Sequence, residues 1–79
     1  MSQIDLQIED HERILALSQR EREVLLLLAE GLSAKEIAGR LKIADSTAGV
    51  HLTRIYDKLG VKKAVTAVRY AIRAGLVDP

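Results

Sequence analysis

The 79-residue chain has no cysteine, no tryptophan and no phenylalanine, and its aromatic content is two tyrosines. The lack of cysteine excludes a disulfide framework and a thiolate metal site, and it suits a reducing cytoplasm. Two tyrosines are too few for the aromatic platform on which single-stranded nucleic acids stack. Long apolar runs are missing as well. The longest, Val24 to Ala29, falls far short of the roughly 20 residues a helix needs to cross a bilayer, so no membrane partner is expected. The opening Met1-Ser2-Gln3-Ile4-Asp5 carries no basic segment of the kind that begins a secretory signal. A cytoplasmic location follows as the expectation. His11 and His51 are too few for a metal site, and no cofactor is expected.

What is present is an ordinary globular balance, 48% hydrophobic and 29% charged. A chain of this size buries only about 60% of its unfolded surface, so one small core must use nearly every apolar side chain. The net charge of +1 hides an uneven distribution. Residues 1–32 carry three arginines against seven carboxylates, and residues 33–79 carry nine lysines and arginines against four. A basic half on a near-neutral chain points to an anionic partner on one face, although solvated surface charge gives the same count.

Residues 1–16 read as an acidic linker or flexible arm, helical at most from about Asp10 to Leu17. Ile4, Leu6 and Ile8 alternate with polar residues, but nothing downstream shares that period. From Ser18 onward every signal is helical. Ser18-Gln19-Arg20-Glu21 is a capping box, and the helix it opens stops at Gly31. Ser33-Ala34-Lys35-Glu36 is a second box, opening a short helix with Ile37, Ala38 and Leu41 on one side. A turn at Lys42-Ile43-Ala44 leads into a third helix, from Asp45 or Ser46 to Leu59-Gly60. A fourth spans about Lys63 to Ala74 and stops at Gly75. The fold class is therefore a compact all-α domain of four helices over residues 17–79. Its second and third helices have the layout of a helix-turn-helix, in which the second of the pair lies in the major groove. A plain antiparallel bundle has the same layout.

The residues themselves resemble a family. Leu17-Ser18-Gln19-Arg20-Glu21-Arg22-Glu23-Val24-Leu25 is similar to the opening of the LuxR/GerE-type DNA-binding domain, and Gly31-Leu32-Ser33-Ala34-Lys35-Glu36-Ile37-Ala38 to its next stretch. Ser46-Thr47, His51, Lys58-Leu59-Gly60-Val61 and Ala67-Val68 fall at the later landmarks in the right spacing. A sigma factor's C-terminal helix-turn-helix shares only the first half of this pattern and lacks the fourth helix. The resemblance implies a regulator of transcription whose third helix reads double-stranded DNA, whose fourth helix mediates homodimerisation, and which has RNA polymerase as a further partner. In the family this domain usually follows a receiver or ligand-sensing domain. The chain is then either such an output fragment or akin to the short stand-alone members.

Helical geometry divides the third helix. Ala48, Leu52, Ile55 and Leu59 fall within about 60° of one another and form a core stripe. Ser46, Val50, Thr53 and Asp57 lie opposite, with Arg54 at the edge, so Ser46, Val50, Thr53 and Arg54 are the candidates for base edges. Lys35, Thr47, His51, Arg54 and Lys58 are the candidates for phosphates. Three departures from the family weaken this face. Ala48-Gly49 stands where the family often has Val-Lys, Ala44 stands at the usual serine N-cap so that Asp45 or Ser46 must cap, and Asp57 would repel phosphate. They leave open a second reading, a protein-interaction module that docks through Leu26 or Leu27 on the first helix.

On the fourth helix, Val65, Val68 and Ile72 are expected inside. Ala67, Tyr70, Ala71 and Ala74 would then form a small-residue surface for dimerisation. No enzyme is expected. Glu21 is explained by its capping box, while Glu23 is expected to pair with Arg20 or Arg40 and staple helices together. Asp45, Ser46 and His51 lie on different faces, so they form no triad.

Overall fold

A computed structural model describes residues 12–77, which form a helical turn at residues 12–15 followed by four longer helices. These are α1 (Gln19–Ala29), α2 (Ala34–Leu41), α3 (Asp45–Leu59) and α4 (Ala64–Arg73), and no strand occurs among the described residues. The all-α expectation holds, including the short helix, tight turn and longer helix of α2 and α3. None of the described helices is long and apolar enough to cross a membrane. The alternating Ile4, Leu6 and Ile8 lie outside the described residues.

Both capping boxes form. Glu21 N–H donates to Ser18 Oγ at 3.1 Å while Ser18 N–H donates to Glu21 Oε1 at 2.8 Å. At α2 the matching pair is Glu36 N–H to Ser33 Oγ at 3.2 Å and Ser33 N–H to Glu36 Oε1 at 3.0 Å. Each box satisfies two backbone donors that have no partner within the helix. The Ser33 backbone and side-chain bonds hold the Glu36 carboxyl below its ordinary pKa. At α3 the expected cap is absent. Ala44 occupies the N-cap position without a side-chain bond, and neither Asp45 nor Ser46 replaces it. Both already lie inside the helix, where Asp45 complements the positive end of the helix dipole from the first turn.

The chain leaves α1, α3 and α4 through left-handed glycines, at φ +96° for Gly31, +70° for Gly60 and +80° for Gly75. Helix α2 ends the same way on a lysine: Lys42 sits at φ 58°, and Ile43 N–H closes the turn on the Ala38 carbonyl at 3.0 Å. A side chain in this region is strained by about 1–2 kcal/mol, partly offset in any glycine variant by the greater freedom of its unfolded chain. Lys42→Gly is therefore expected to stabilise the domain by about 0.5 kcal/mol, measured by urea denaturation.

The core joins all four helices. Val24 and Leu25 of α1, Ile37 of α2, and Leu52, Ile55 and Leu59 of α3 meet Ala67, Tyr70 and Ala71 of α4. The α3 stripe is as expected, with Ala48, Leu52, Ile55 and Leu59 all buried. The α4 assignment is reversed. Ala67, Tyr70 and Ala71 are in the core and Ala74 packs against it, whereas Val65 is 59% exposed and Val68 and Ile72 are half-buried. Both stripes have helical spacing, so hydropathy alone favours the valines. The fold favours the stripe that brings the large Tyr70 ring inside and lets two alanines admit close helix approach. The Arg73 guanidinium lies 4.9 Å from the centre of the Tyr70 ring. The surface proposed for dimerisation, Ala67, Tyr70, Ala71 and Ala74, thus does not exist.

The described residues preceding α1 are held to the domain at several points, and the turn at 12–15 is helical, as expected for the stretch up to Leu17. Ile14 and Leu17 belong to the core, while Leu15 between them is 57% exposed. Arg13 Nη1 donates to the Leu59 carbonyl at 3.1 Å and satisfies one acceptor at the C-terminal end of α3. Lys58 Nζ donates to the Ala16 carbonyl at 3.2 Å and to Glu21 Oε1 at 2.7 Å. Glu21, 3% exposed, is the buried charged residue of the described chain. It ties α1, α3 and the preceding segment together.

Candidate nucleic-acid interface

The α3 face opposite the core is open. Ser46, Thr47, Val50, Thr53, Arg54 and Asp57 are all exposed, and Val50 shows 47% of its surface. The core stripe fixes this orientation, because four buried residues at helical spacing leave α3 one rotational setting. Lys35 is exposed on the first turn of α2. The structure thus brings Ser46, Thr47, Val50, Thr53 and Arg54 onto one helix surface, with Lys35 on the helix before it.

Two predicted contacts stand apart. Lys58 is committed to Glu21 and the Ala16 carbonyl, so its ammonium anchors the fold and is withdrawn from the phosphate candidates. His51 is half-buried, with Nδ1 enclosed and without a hydrogen-bond partner. Glu23 pairs with Arg20 at 3.1 Å on the exposed surface of α1, where such a pair contributes little. It staples no helices; the Glu21–Lys58 pair does.

Burial alone would raise the pKa of the Glu21 carboxyl. The hydrogen bond from Lys58, the bond from the Ser18 backbone and the Lys58 charge outweigh that effect and hold it below the ordinary value. Tyr56, half-buried beside the core, has its phenol pushed up by burial.

Gly49 and Thr53 form a local unit. Thr53 Oγ1 donates to the Gly49 carbonyl one turn back, at 3.0 Å. A Cβ at Gly49 would meet nothing within 4 Å, so the position has room for a side chain. Sequence reasoning missed Arg40 and Lys42, two further exposed cations on α2 and the turn. The signal was present, since both lie in the basic half and within the helix-turn-helix. On the alternative docking strip, Leu26 is 37% exposed but Leu27 packs against the core. The strip shrinks to one leucine.

Residues 15–71 match the family model described as bacterial regulatory proteins, luxR family. The chain is 48% identical over 62 residues to the probable transcriptional regulatory protein NarL of Mycobacterium tuberculosis, covering 78% of this chain and 29% of that protein. It is 40% identical over 65 residues to the probable transcriptional regulatory protein SgaR of Hyphomicrobium methylovorum, covering 82% and 31% respectively. It is 40% identical over 70 residues to the transcriptional regulatory protein LnrK of Bacillus subtilis, covering 89% and 32%. The chain spans about a third or less of the length of these relatives.

Proposed function

The chain belongs to the luxR family of bacterial regulatory proteins, a family of regulators and not of enzymes, and on that premise we propose that it is the sequence-reading DNA-binding module of a transcriptional regulator. Helix α2 braces against the phosphate backbone and α3 enters the major groove. Ser46, Val50, Thr53 and Arg54 address base edges, while Lys35, Thr47 and His51 address phosphates. The observation that carries this reading is the exposed α3 face itself. An exposed valine among hydroxyls and one arginine suits a groove that offers thymine methyls, hydrogen-bonding edges and guanine acceptors.

Two copies related by a two-fold axis would meet half-sites about one helical turn apart. With the alanine stripe inside, the exposed Val65, flanked by the half-buried Val68 and Ile72, is the apolar part of α4 that a second copy could meet. The module acts in the cytoplasm, and RNA polymerase is a further partner of the regulator it serves. The interaction-module reading is weaker, because Leu27 is packed and Leu26 alone makes a poor docking strip.

Gly49→Lys tests the placement of α3. The open space at Gly49 accepts the side chain, and one added phosphate contact steepens the log–log salt dependence by about 0.9. The expected result is several-fold tighter binding at low salt together with that steeper slope, read by fluorescence anisotropy. Lys35→Ala is expected to make the slope shallower by about the same amount. Unchanged slopes in both variants would mean that this surface does not meet DNA.

A further inference from the structure

A threonine hydroxyl has one hydrogen to donate and two lone pairs to accept with. In α3 that hydrogen is committed, because Thr53 Oγ1 donates to the Gly49 carbonyl at 3.0 Å. Thr53 is exposed, so what it offers outward is an oxygen that only accepts. Side chains on a helix lean toward its N-terminus, which sets the Thr53 oxygen over the turn that begins at Gly49. Gly49 bears no side chain, and a Cβ at that position would meet nothing within 4 Å. One turn further along the same exposed face stands Asp57, an acceptor-only carboxylate with no ion-pair partner among the described residues.

We propose that Gly49 and Thr53 form a base slot selective for a hydrogen-bond donor, in which Thr53 Oγ1 accepts from the exocyclic amine of adenine or cytosine. The inference rests on the major-groove reading above and adds its chemical preference. In the major groove, adenine N6 and cytosine N4 are the donors, whereas thymine O4 and guanine O6 and N7 are acceptors. An acceptor facing an acceptor leaves both without a partner in a desolvated groove, so thymine and guanine are disfavoured on the strand that Thr53 faces. Asp57 extends the same preference and turns a charge that is unfavourable toward phosphate into one that is favourable toward amines.

The test is selection of bound duplexes from a randomised pool with the full 79-residue chain, its Thr53→Val and Thr53→Ser variants, and Arg54→Ala as a second readout. Valine keeps the shape of threonine and removes the oxygen; serine keeps the oxygen. The expected result is a preference of about fivefold for adenine or cytosine at one position of each half-site. Thr53→Val flattens that position alone, and Thr53→Ser retains it. Two results would overturn the slot: a Thr53-dependent preference for guanine or thymine, or a set of preferences that Thr53→Val leaves untouched while Arg54→Ala alters another position. A pool in which the unmodified chain enriches nothing would overturn the major-groove reading and the slot with it.

Discussion

Arg54→Ala is expected to weaken binding to a selected duplex by about ten- to a hundredfold. A bidentate contact between an arginine and the O6 and N7 of guanine discriminates by about 1–3 kcal/mol, and Arg54 is the α3 side chain able to make one. Its setting favours that use. It is exposed at the edge of the groove face, next to the half-bare Val50, and has no carboxylate partner among the described residues. Asp57, three residues on, does not pair with it, so the fork is not diverted into a helix-surface ion pair. The loss should be specific to sequence: the variant should bind duplexes altered at the contacted base pair as weakly as the original one. Stability should stay within about 0.5 kcal/mol, because the side chain supports nothing in the core. Anisotropy titrations and a urea melt of the same preparation separate the two effects.

The largest effect on stability is expected at Glu21. Glu21→Ala removes the acceptor for both the Ser18 N–H and the Lys58 ammonium, at 2.8 and 2.7 Å. Charge-assisted bonds of this kind contribute about 1.5–3 kcal/mol. The Lys58 side chain is 39% exposed and regains water once its partner is gone, so the expected cost is about 2 kcal/mol rather than more. Glu21→Gln keeps an oxygen for the capping box and loses the ion pair, so it should fall between. The pH dependence carries a sign. The folded-state pKa of Glu21 is lowered, so its contribution is complete above the carboxylate's unfolded value and disappears as pH falls through the folded one. Glu36 shifts in the same direction through its own cap. Thermal melts between neutral and strongly acidic pH should therefore show a shallower acid-side loss in Glu21→Ala than in the unmodified chain, without abolishing it.

The parts of the fold legible in the sequence are those decided within about four residues. Ser18 with Glu21, Ser33 with Glu36, and the three terminal glycines act locally, and each is found where the residues place it. The α3 stripe is legible because Ala48, Leu52, Ile55 and Leu59 lie opposite a side on which Val50 is the one large apolar residue among polar ones, so only one rotation is sensible. On α4 the two candidate faces are both apolar, and alanine is close to indifferent between core and surface, so periodicity cannot choose. The role of Lys58 was hidden for a different reason. Its partner Glu21 lies 37 residues away, and a lysine on the flank of a reading helix has the same local signature whether it meets phosphate or a buried carboxylate. Arg13 and Leu59, 46 residues apart, are likewise joined only by the tertiary fold. Ala44 shows the reverse case, where a missing cap is visible in the sequence but no neighbour compensates for it.

Helix α3 is proposed to read base sequence despite the bare Gly49. The most direct test is anisotropy binding of the 79-residue chain to duplexes selected from a random pool, at low salt and again near 200 mM, about the range over which phosphate contacts alone are strongly attenuated. Enrichment of a defined sequence is expected, with binding that persists at the higher salt and a log–log slope of only a few phosphates. Binding that is absent, or that disappears at the higher salt with no sequence enriched, would contradict that role of α3.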